Sequence, residues 1–249
     1  MPSIKDLGIK LFADGADLAS ILKLSRDPRI QGFTTNPTLM RKAGILDYEA
    51  FARNVVRMVP DRPVSFEVFA DDEEGMESQA RVIASWGRNV NVKIPVTDQK
   101  GVFLSPLNQR LSRAGVRLNV TAVLTLEQVA RVTDALHQAT PAIISVFAGR
   151  IADTGVDPVP VMRKARQILR ARPKAELLWA SPRELLNIFQ AESAGCHIIT
   201  VPPEILSKLD LVGKDLSDYS LETVAMFHRD AHAAAYQISC AAGGRIGAA

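Results

Sequence analysis

A lysine inside an apolar strand is the most unusual chemical feature of this sequence. The segment NVNVKIPVT places Lys93 among β-branched residues, a pattern typical of a strand that is buried on both faces. Lysine is almost never fully buried unless its ammonium group is paired. An amine that is shielded from water loses part of its preference for the charged form and can attack a carbonyl carbon, forming a Schiff base. The segment therefore predicts a nucleophilic lysine, and the alternative is a side chain whose ammonium reaches solvent along its aliphatic stem.

Two carboxylates stand at the ends of other apolar runs. Asp14 closes KLFAD, and Glu67 lies between Phe66 and Val68 in PVSFEVFA. Such a pair can transfer protons at two positions of one substrate, which Schiff-base chemistry requires. Each also has a structural interpretation, because an aspartate at a strand end often caps a turn or helix. An outward register would likewise make Glu67 an ordinary surface residue.

Further polar residues end the remaining apolar runs. Amide and hydroxyl groups suit a polyhydroxylated substrate, and two arginines with a serine suit a phosphate, which guanidinium groups bind well. The alternatives are that the arginines pair with surface carboxylates and that TTNP is a simple turn. The candidates are Thr34, Thr35, Asn36, Asn119, Thr121, Ser145, Arg150, Ser181, Arg183 and Thr200.

The elements that must position these groups alternate along the chain. Eight apolar runs alternate with amphipathic helical segments, which predicts an α/β fold, a single (β/α)8 barrel with a C-terminal helical extension. Because barrel enzymes place their sites at the C-terminal ends of the strands, the polar residues are expected to converge there. The alternative is a doubly wound sheet, but ADGAD lacks the glycine-rich phosphate loop usual for that fold. The runs begin at Lys10, Gly32, Pro63, Asn89, Arg117, Ala142, Ala175 and Cys196.

One domain is expected over residues 1–238, including the C-terminal helix, followed by a flexible tail at 239–249. The chain has 249 residues, of which 47% are hydrophobic and 23% charged, the usual balance of a globular protein. The net charge of +3 comes from scattered residues, so no nucleic-acid partner is expected. No apolar run has the length of a membrane span, and the N-terminus does not resemble a secretory signal.

Cysteine and histidine content bears on location and on metals. The two cysteines, Cys196 and Cys240, cannot form a disulfide framework and fit a reducing cytoplasm, so a cytoplasmic location is expected. Cys196, Trp86 and Trp179 are expected to serve packing. His228 and His232 have the spacing of metal ligands, but the glutamate of H-E-x-x-H is absent and no third ligand is evident. We therefore expect no metal site.

Five segments together resemble the transaldolase family over nearly the whole chain, in its short subgroup related to the fructose-6-phosphate aldolases. They are GFTTNP, NVNVKIPVT, LNVTAVLT, ISVFAGRIADTG and LLWASPRE with GCHIITVP. The resemblance implies that Lys93 forms the Schiff base and that Asp14 exchanges the proton of the C4 hydroxyl. It implies that Glu67 and Thr121 act with a held water in imine formation and hydrolysis.

The resemblance also implies the substrate contacts. Asn36, Asn119 and Ser145 match residues that bind the dihydroxyacetone part, with Thr34 and Phe147 beside them in the same motifs. Arg150, Ser181 and Arg183 match the phosphate site. It further implies a homo-oligomer, a phosphorylated or otherwise anionic sugar as substrate, and no cofactor, because the iminium itself accepts electrons.

Three positions favour a transaldolase over an aldolase. The related aldolases resemble this chain but carry glutamine at the position of Glu67, tyrosine at that of Phe147, and lack Asn119. The expected reaction moves a dihydroxyacetone unit from a ketose phosphate, of the sedoheptulose 7-phosphate or fructose 6-phosphate type, to an aldose. Gly15, Val146 and Pro182 depart from the family motifs.

Three other functions stay open, and the departures bear on the second of them. One is an enzyme that releases free dihydroxyacetone, as a fructose-6-phosphate aldolase does. Another is a specialised transaldolase for a sulfosugar or an antibiotic-sugar precursor. The last, and the least favoured by the intact set of Lys93, Asp14 and Glu67, is a barrel that binds a sugar phosphate without turning it over.

Overall fold

Eight parallel strands form a closed barrel in which each strand pairs with its neighbours in chain order, and β8 pairs with β1. The computed structural model describes residues 7–238. The predicted (β/α)8 barrel with its C-terminal helix is confirmed, and all eight predicted runs are strands. They are β1 (Lys10–Asp14), β2 (Ile30–Thr34), β3 (Val64–Glu67), β4 (Val90–Pro95), β5 (Leu118–Val123), β6 (Ala142–Val146), β7 (Ala175–Trp179) and β8 (Ile198–Val201).

Helices connect the strands and surround the barrel. The short ones are α1 (Leu18–Leu24), α2 (Pro37–Lys42), α7 (Ala148–Asp153) and α10 (Pro203–Leu206). The longer ones are α3 (Tyr48–Met58), α4 (Glu73–Ser85), α5 (Ser105–Arg113), α6 (Leu126–Ala135), α8 (Pro158–Ile168), α9 (Leu186–Ser193) and α11 (Leu216–Ala233). Single 3-10 turns occupy Leu169–Ala171 and Leu209–Leu211.

Local sequence signals explain where several of these helices begin and end. The carboxylates of Asp17, Asp47 and Asp72 accept hydrogen bonds from the first turns of α1, α3 and α4, as expected for N-caps. After α9, Gly195 adopts a φ of +79°, the left-handed conformation that glycine tolerates at a helix C-terminus.

The described residues fall into two compact units. One extends to Asp210 and contains the barrel, and the other begins at Leu211 and contains α11. Within the second unit, Asp215 caps α11 and Lys214 pairs with Glu222. Apolar residues of this helix, such as Leu221 and Phe227, are exposed. A single domain over 1–238 remains a prediction, and the predicted tail at 239–249 lies outside the described residues.

Two apolar layers support the strands. A large cluster packs between the barrel and its helices, and it includes Trp179 and Cys196 as expected. Burial raises the pKa of the Cys196 thiol to about 12, which makes it a packing residue rather than a reactive one. A smaller cluster joins residues of four strands and the segment after one of them, with members Phe12, Ile143, Leu178, Ala180 and Ile198.

Gly32 is required beside this smaller cluster. A Cβ atom at position 32 would lie 2.5 Å from Cζ of Phe12, so the ring occupies the space that a side chain would need. The glycine thus leaves room for the Phe12 ring to fill the barrel below the polar groups at the C-terminal ends of the strands.

Candidate active site

A cavity of about 400 Å³ opens at the C-terminal ends of the barrel strands. Of the predicted site residues, only Thr35 and Arg183 are missing from its lining, so polar groups from seven strands and from the segments after them converge as expected. The lining comprises Asp14, Thr34, Asn36, Pro37, Thr38, Leu39, Glu67, Lys93, Asn119, Thr121, Ser145, Phe147, Arg150, Ala180, Ser181 and Thr200.

Lys93 lies in the middle of β4 with its residue surface only 7% exposed. Its Nζ atom is 2.8 Å from Oε1 of Glu67 and donates a 2.6 Å hydrogen bond to the carbonyl oxygen of Thr35. The sequence predicted apolar surroundings for this amine, and the flanking residues Val92 and Ile94 are indeed buried. The Nζ atom itself, however, contacts a carboxylate and a carbonyl, so its immediate partners are polar.

Glu67 faces the cavity and not the surface, which excludes an outward register. It ends β3 directly opposite Lys93 of β4. Burial raises the pKa of Glu67 above its ordinary value, while the neighbouring charge of Lys93 opposes that shift. Its Oε2 atom has no hydrogen-bond partner among residues 7–238. The carboxylate can therefore accept a proton from Lys93 on one oxygen and serve a substrate on the other.

Asp14 is the second buried carboxylate. Its Oδ1 atom accepts a 2.8 Å hydrogen bond from the Thr34 hydroxyl, and Oδ2 accepts a 3.2 Å bond from Nδ2 of Asn36. Burial raises its pKa above the ordinary value, and the charge of Lys93 lowers it to a smaller extent. A carboxylate with a raised pKa is a stronger base than an ordinary aspartate, which suits a group that accepts and returns a proton.

The Asn36 amide has two functions. Its Oδ1 atom caps α2 by accepting from the backbone N–H of Leu39, at 2.9 Å, while its Nδ2 atom donates to Asp14. The cap fixes the rotamer of the side chain, and this in turn fixes the donor that faces the carboxylate. TTNP therefore forms the turn that the sequence allowed, and the same turn places a side chain in the cavity.

Asn119 and Ser145 form a connected polar pair. The Ser145 hydroxyl donates a 2.6 Å hydrogen bond to Oδ1 of Asn119, whose Nδ2 atom donates a 3.1 Å bond to the Ser65 hydroxyl. All three side chains are buried. Because buried polar groups stay fixed when their hydrogen bonds are satisfied, this row presents hydroxyl and amide groups in one arrangement.

Arg150 and Ser181 form the basic end of the cavity. Arg150 lies on α7 with its guanidinium 5.4 Å from the centre of the Phe147 ring, a cation–π contact that orients it. Ser181 follows β7 with a φ of +58°, which is uncommon outside glycine. A Cβ atom on Gly149 would lie 1.5 Å from the carbonyl oxygen of Ser181, so glycine is needed for the two segments to meet.

Arg183 differs from the prediction. Its guanidinium pairs with the Asp153 carboxylate through Nε, at 2.9 Å, and through a second, shorter bond, and both side chains are about half exposed. Arg183 does not line the cavity. The alternative interpretation, an arginine paired with a surface carboxylate, describes its observed position. Pro182 and the bond from the Arg183 N–H to Asn187, at 2.7 Å, fix the local backbone.

Two candidates from the sequence contribute in ways that only their contacts reveal. The side chain of Thr35 turns away from the cavity and donates to the Ser65 carbonyl, while its own carbonyl accepts from Lys93. Thr200 forms a short hydroxyl–hydroxyl contact with Thr34, which in turn donates to Asp14. Both residues thus support the charged groups of the site.

Two further contributors were not identified from the sequence. Ser65 supports Asn119, and Tyr48 hydrogen-bonds to the backbone of Glu67. Ser65 could have been found, because it precedes Glu67 by two residues and therefore shares its face of the strand. Tyr48 had no such signal, because it begins a helix nineteen residues away in sequence.

The described part of the chain contains neither a cluster of metal-ligating side chains nor a helix that could span a membrane. Within residues 7–238, no three histidine, cysteine, aspartate or glutamate side chains are arranged to hold a metal ion. The rings of His228 and His232 lie 4.4 Å apart on α11. Over the same residues, no helix has the length and apolar character needed to cross a membrane.

The barrel and its cavity define a (β/α)8 protein with a buried lysine–carboxylate centre. The chain belongs to the transaldolase/fructose-6-phosphate aldolase family, whose model matches residues 11–239. A probable transaldolase of Dehalococcoides mccartyi is 35% identical over 202 residues, which cover 81% of this chain and 90% of the relative. A probable transaldolase of Streptococcus agalactiae is 35% identical over 216 residues, covering 86% and 95%.

The likeness to solved structures extends to distant enzymes. A mandelate oxidase mutant matches with a TM-score of 0.54 at 15% identity, covering 84% of this chain and 70% of that one. Identity this low shows the barrel fold alone. The family relationship therefore rests on the sequence relatives, and they support a transaldolase-family enzyme.

Proposed function

We propose that this protein is a transaldolase that transfers a dihydroxyacetone unit from a ketose phosphate to an aldose through a Schiff base on Lys93. The observation that carries the proposal is the contact between buried Lys93 and Glu67 in a cavity that also contains Asp14. A lysine and two buried carboxylates are the groups that this chemistry requires. The probable transaldolases among the relatives support the same reaction.

Imine formation begins at the lysine–glutamate pair. Glu67 accepts a proton from Lys93, and the freed amine attacks the C2 ketone of the donor. The resulting carbinolamine loses its hydroxyl as water, with the proton supplied from Glu67, and a C=N bond to Nζ remains. Thr121 lines the cavity on β5, where its hydroxyl can hold the water that leaves and later returns.

Carbon–carbon cleavage follows at Asp14. Its carboxylate takes the proton of the C4 hydroxyl, and the C3–C4 bond breaks as its electron pair moves into the iminium. An aldose phosphate leaves, and a three-carbon enamine stays on Lys93. An acceptor aldehyde then takes up the same electron pair at C3, and its oxygen takes the proton back from Asp14. Addition of water to the new iminium releases the product and the amine.

The remaining lining groups match a hydroxylated, anionic substrate. Asn36, Asn119 and Ser145 offer donors and acceptors to the dihydroxyacetone hydroxyls, and Arg150 with Ser181 offers donors to the terminal phosphate. Phe147 places a ring where a tyrosine would bring a hydroxyl. The enamine therefore lacks one proton donor that could release it early, which favours transfer over release of free dihydroxyacetone.

A second candidate is a specialised transaldolase whose donor carries a sulfonate. The pairing of Arg183 with Asp153 favours it, because Arg150 lines the cavity and Arg183 does not. A singly charged sulfonate needs less positive charge than a phosphate dianion. A screen of donors that differ only in the terminal anion would separate the two candidates.

Borohydride trapping tests the central proposal. Wild-type protein incubated with fructose 6-phosphate and borohydride is expected to gain a reduced adduct on the peptide that contains Lys93. Lys93→Arg keeps the positive charge and is expected to gain none. If no ketose phosphate or sulfonate gives an adduct on Lys93, the covalent mechanism is wrong. Products measured with and without erythrose 4-phosphate separate the functions, since equal release of dihydroxyacetone in both would indicate an aldolase.

A further inference from the structure

We infer that Tyr48 is a positioning residue for the reaction. Its hydroxyl takes the place of one backbone hydrogen bond between β2 and β3, and it thereby holds Glu67 beside Lys93. This inference rests on the proposed function. Tyr48 begins α3, outside the strands, and its ring does not line the catalytic cavity. It therefore acts through the backbone of its neighbours and not on the substrate.

The hydrogen bonds between β2 and β3 show where the rung is missing. Phe33 N donates to Pro63 O at 2.9 Å, and Thr35 N donates to Ser65 O at 3.3 Å. In a regular parallel ladder, the next bond would run from the N–H of Glu67 to the carbonyl oxygen of Thr35. Both of these groups instead bind side chains, and the ladder ends one rung early.

The side chains of Lys93 and Tyr48 bind the two backbone groups that the missing bond would have joined. The Thr35 carbonyl accepts the 2.6 Å hydrogen bond from Nζ of Lys93. The N–H of Glu67 donates a 2.7 Å bond to the Tyr48 hydroxyl, which in turn donates to the Glu67 carbonyl at 3.2 Å. One phenol thus satisfies both backbone groups of Glu67 on the side where β2 has ended, and the Thr35 carbonyl is left for the ammonium.

The surroundings of Tyr48 fix its hydroxyl. The ring packs edge-on against Phe66 and Phe69, with centroid distances of 6.2 and 4.6 Å, and lies 6.0 Å from Trp86. Burial raises the pKa of Tyr48 above its usual value, so the hydroxyl keeps its proton at neutral pH and remains a donor. Removal of the hydroxyl would leave the ring in place and the backbone N–H of Glu67 without this acceptor.

Tyr48→Phe tests the inference, with Tyr236→Phe as the matched control, because Tyr236 is exposed and the change removes the same hydroxyl. Loss of bonds that hold a reacting group is expected to lower kcat about tenfold, while KM for the donor changes less than about twofold. The limb of the pH–rate profile that reports Glu67 is expected to move to higher pH, because a displaced Glu67 loses part of the charge of Lys93. Tyr236→Phe should leave kcat and this limb unchanged.

The outcomes separate this inference from the proposed function. Wild-type protein without a Lys93 adduct would overturn the function itself. An adduct in the wild type, together with a wild-type pH profile in Tyr48→Phe, would overturn only the role of Tyr48. If Tyr48→Phe does not fold, replacement of Tyr48 by 4-aminophenylalanine restores a donor and an acceptor at the same place. That variant is expected to have the kcat of the wild type and the same Glu67 limb in its pH–rate profile. A tenfold loss of kcat in it would overturn the inference.

Discussion

Lys93 and Glu67 face each other across β4 and β3, with Nζ 2.8 Å from Oε1. The pair is buried. Removal of either partner would leave the other charge unpaired in a poorly solvated site, which strongly destabilises a protein. Proton transfer between them needs no diffusion and no change of rotamer. The contact thus gives the buried Lys93 a carboxylate partner, which is what a lysine inside a strand requires.

Asp14→Asn is expected to stabilise the fold at pH 7 by roughly 0.5–2 kcal/mol while it lowers kcat by about 10²–10⁴-fold. Burial raises the pKa of Asp14 in the folded state. The stabilising contribution of such a group is complete below the unfolded pKa and is lost as pH rises through the folded pKa. Asp14 therefore costs stability as the pH rises above the unfolded pKa, and asparagine, which does not titrate, removes that cost.

Urea unfolding at pH 7 and at pH 3.5 measures how Asp14→Asn changes the free energy of unfolding at each pH. The gain in free energy of unfolding should be present at pH 7 and largely absent at pH 3.5. The exposed Asp61→Asn serves as control and should stay within about 0.5 kcal/mol of the wild type at both. An equal gain for Asp14→Asn at the two pH values would contradict the explanation by ionisation.

Arg150→Gln is expected to raise KM for a phosphorylated donor about 10- to 100-fold, because a hydrogen bond to a charged group contributes about 1.5–3 kcal/mol. Arg183→Gln is expected to raise this KM by a factor several times smaller, since the Arg183 guanidinium is paired with Asp153. Steady-state kinetics of both variants with one donor gives the comparison. Equal effects would show that Arg183 leaves Asp153 when the substrate binds.

Gly149→Ala is expected to destabilise the protein by about 1–3 kcal/mol, because the added methyl group would overlap the Ser181 carbonyl. The displaced Ser181 should also weaken binding of the donor's anionic group. Gly15→Ala is the control, since a Cβ atom at Gly15 meets nothing within 4 Å. Thermal unfolding and KM measured on both variants check the result, and similar values for the two would contradict the close contact.

Phe147→Tyr is expected to raise the release of free dihydroxyacetone by at least about tenfold, since a positioned hydroxyl supplies a proton donor to the waiting enamine. The measurement is dihydroxyacetone formed from fructose 6-phosphate without an acceptor. Leu186→Phe, at an exposed position outside the cavity, is a control that should leave release unchanged. Unchanged release in Phe147→Tyr would show that the ring is not what retains the enamine.

The sequence alone determined the barrel and most of the site. Strand periodicity is local, so the spacing of polar and apolar residues is enough to place Lys93, Asp14, Glu67 and Thr200 on one rim. Ser65 belongs to the same pattern, so the sequence could also have predicted its place in the site. Hydrophobic alternation fixes which face a strand residue occupies, and closure of the barrel brings those faces together.

Only the tertiary structure decided which groups touch. The pairing of Arg183 with Asp153, the contact of Gly149 with Ser181 and the bonds of Tyr48 to Glu67 join residues 19 to 32 positions apart through loops. Loop conformation and side-chain pairing depend on contacts that no local periodicity encodes. The resting partners of Lys93 were hidden for the same reason, because the Thr35 carbonyl becomes available only where β2 ends one rung early.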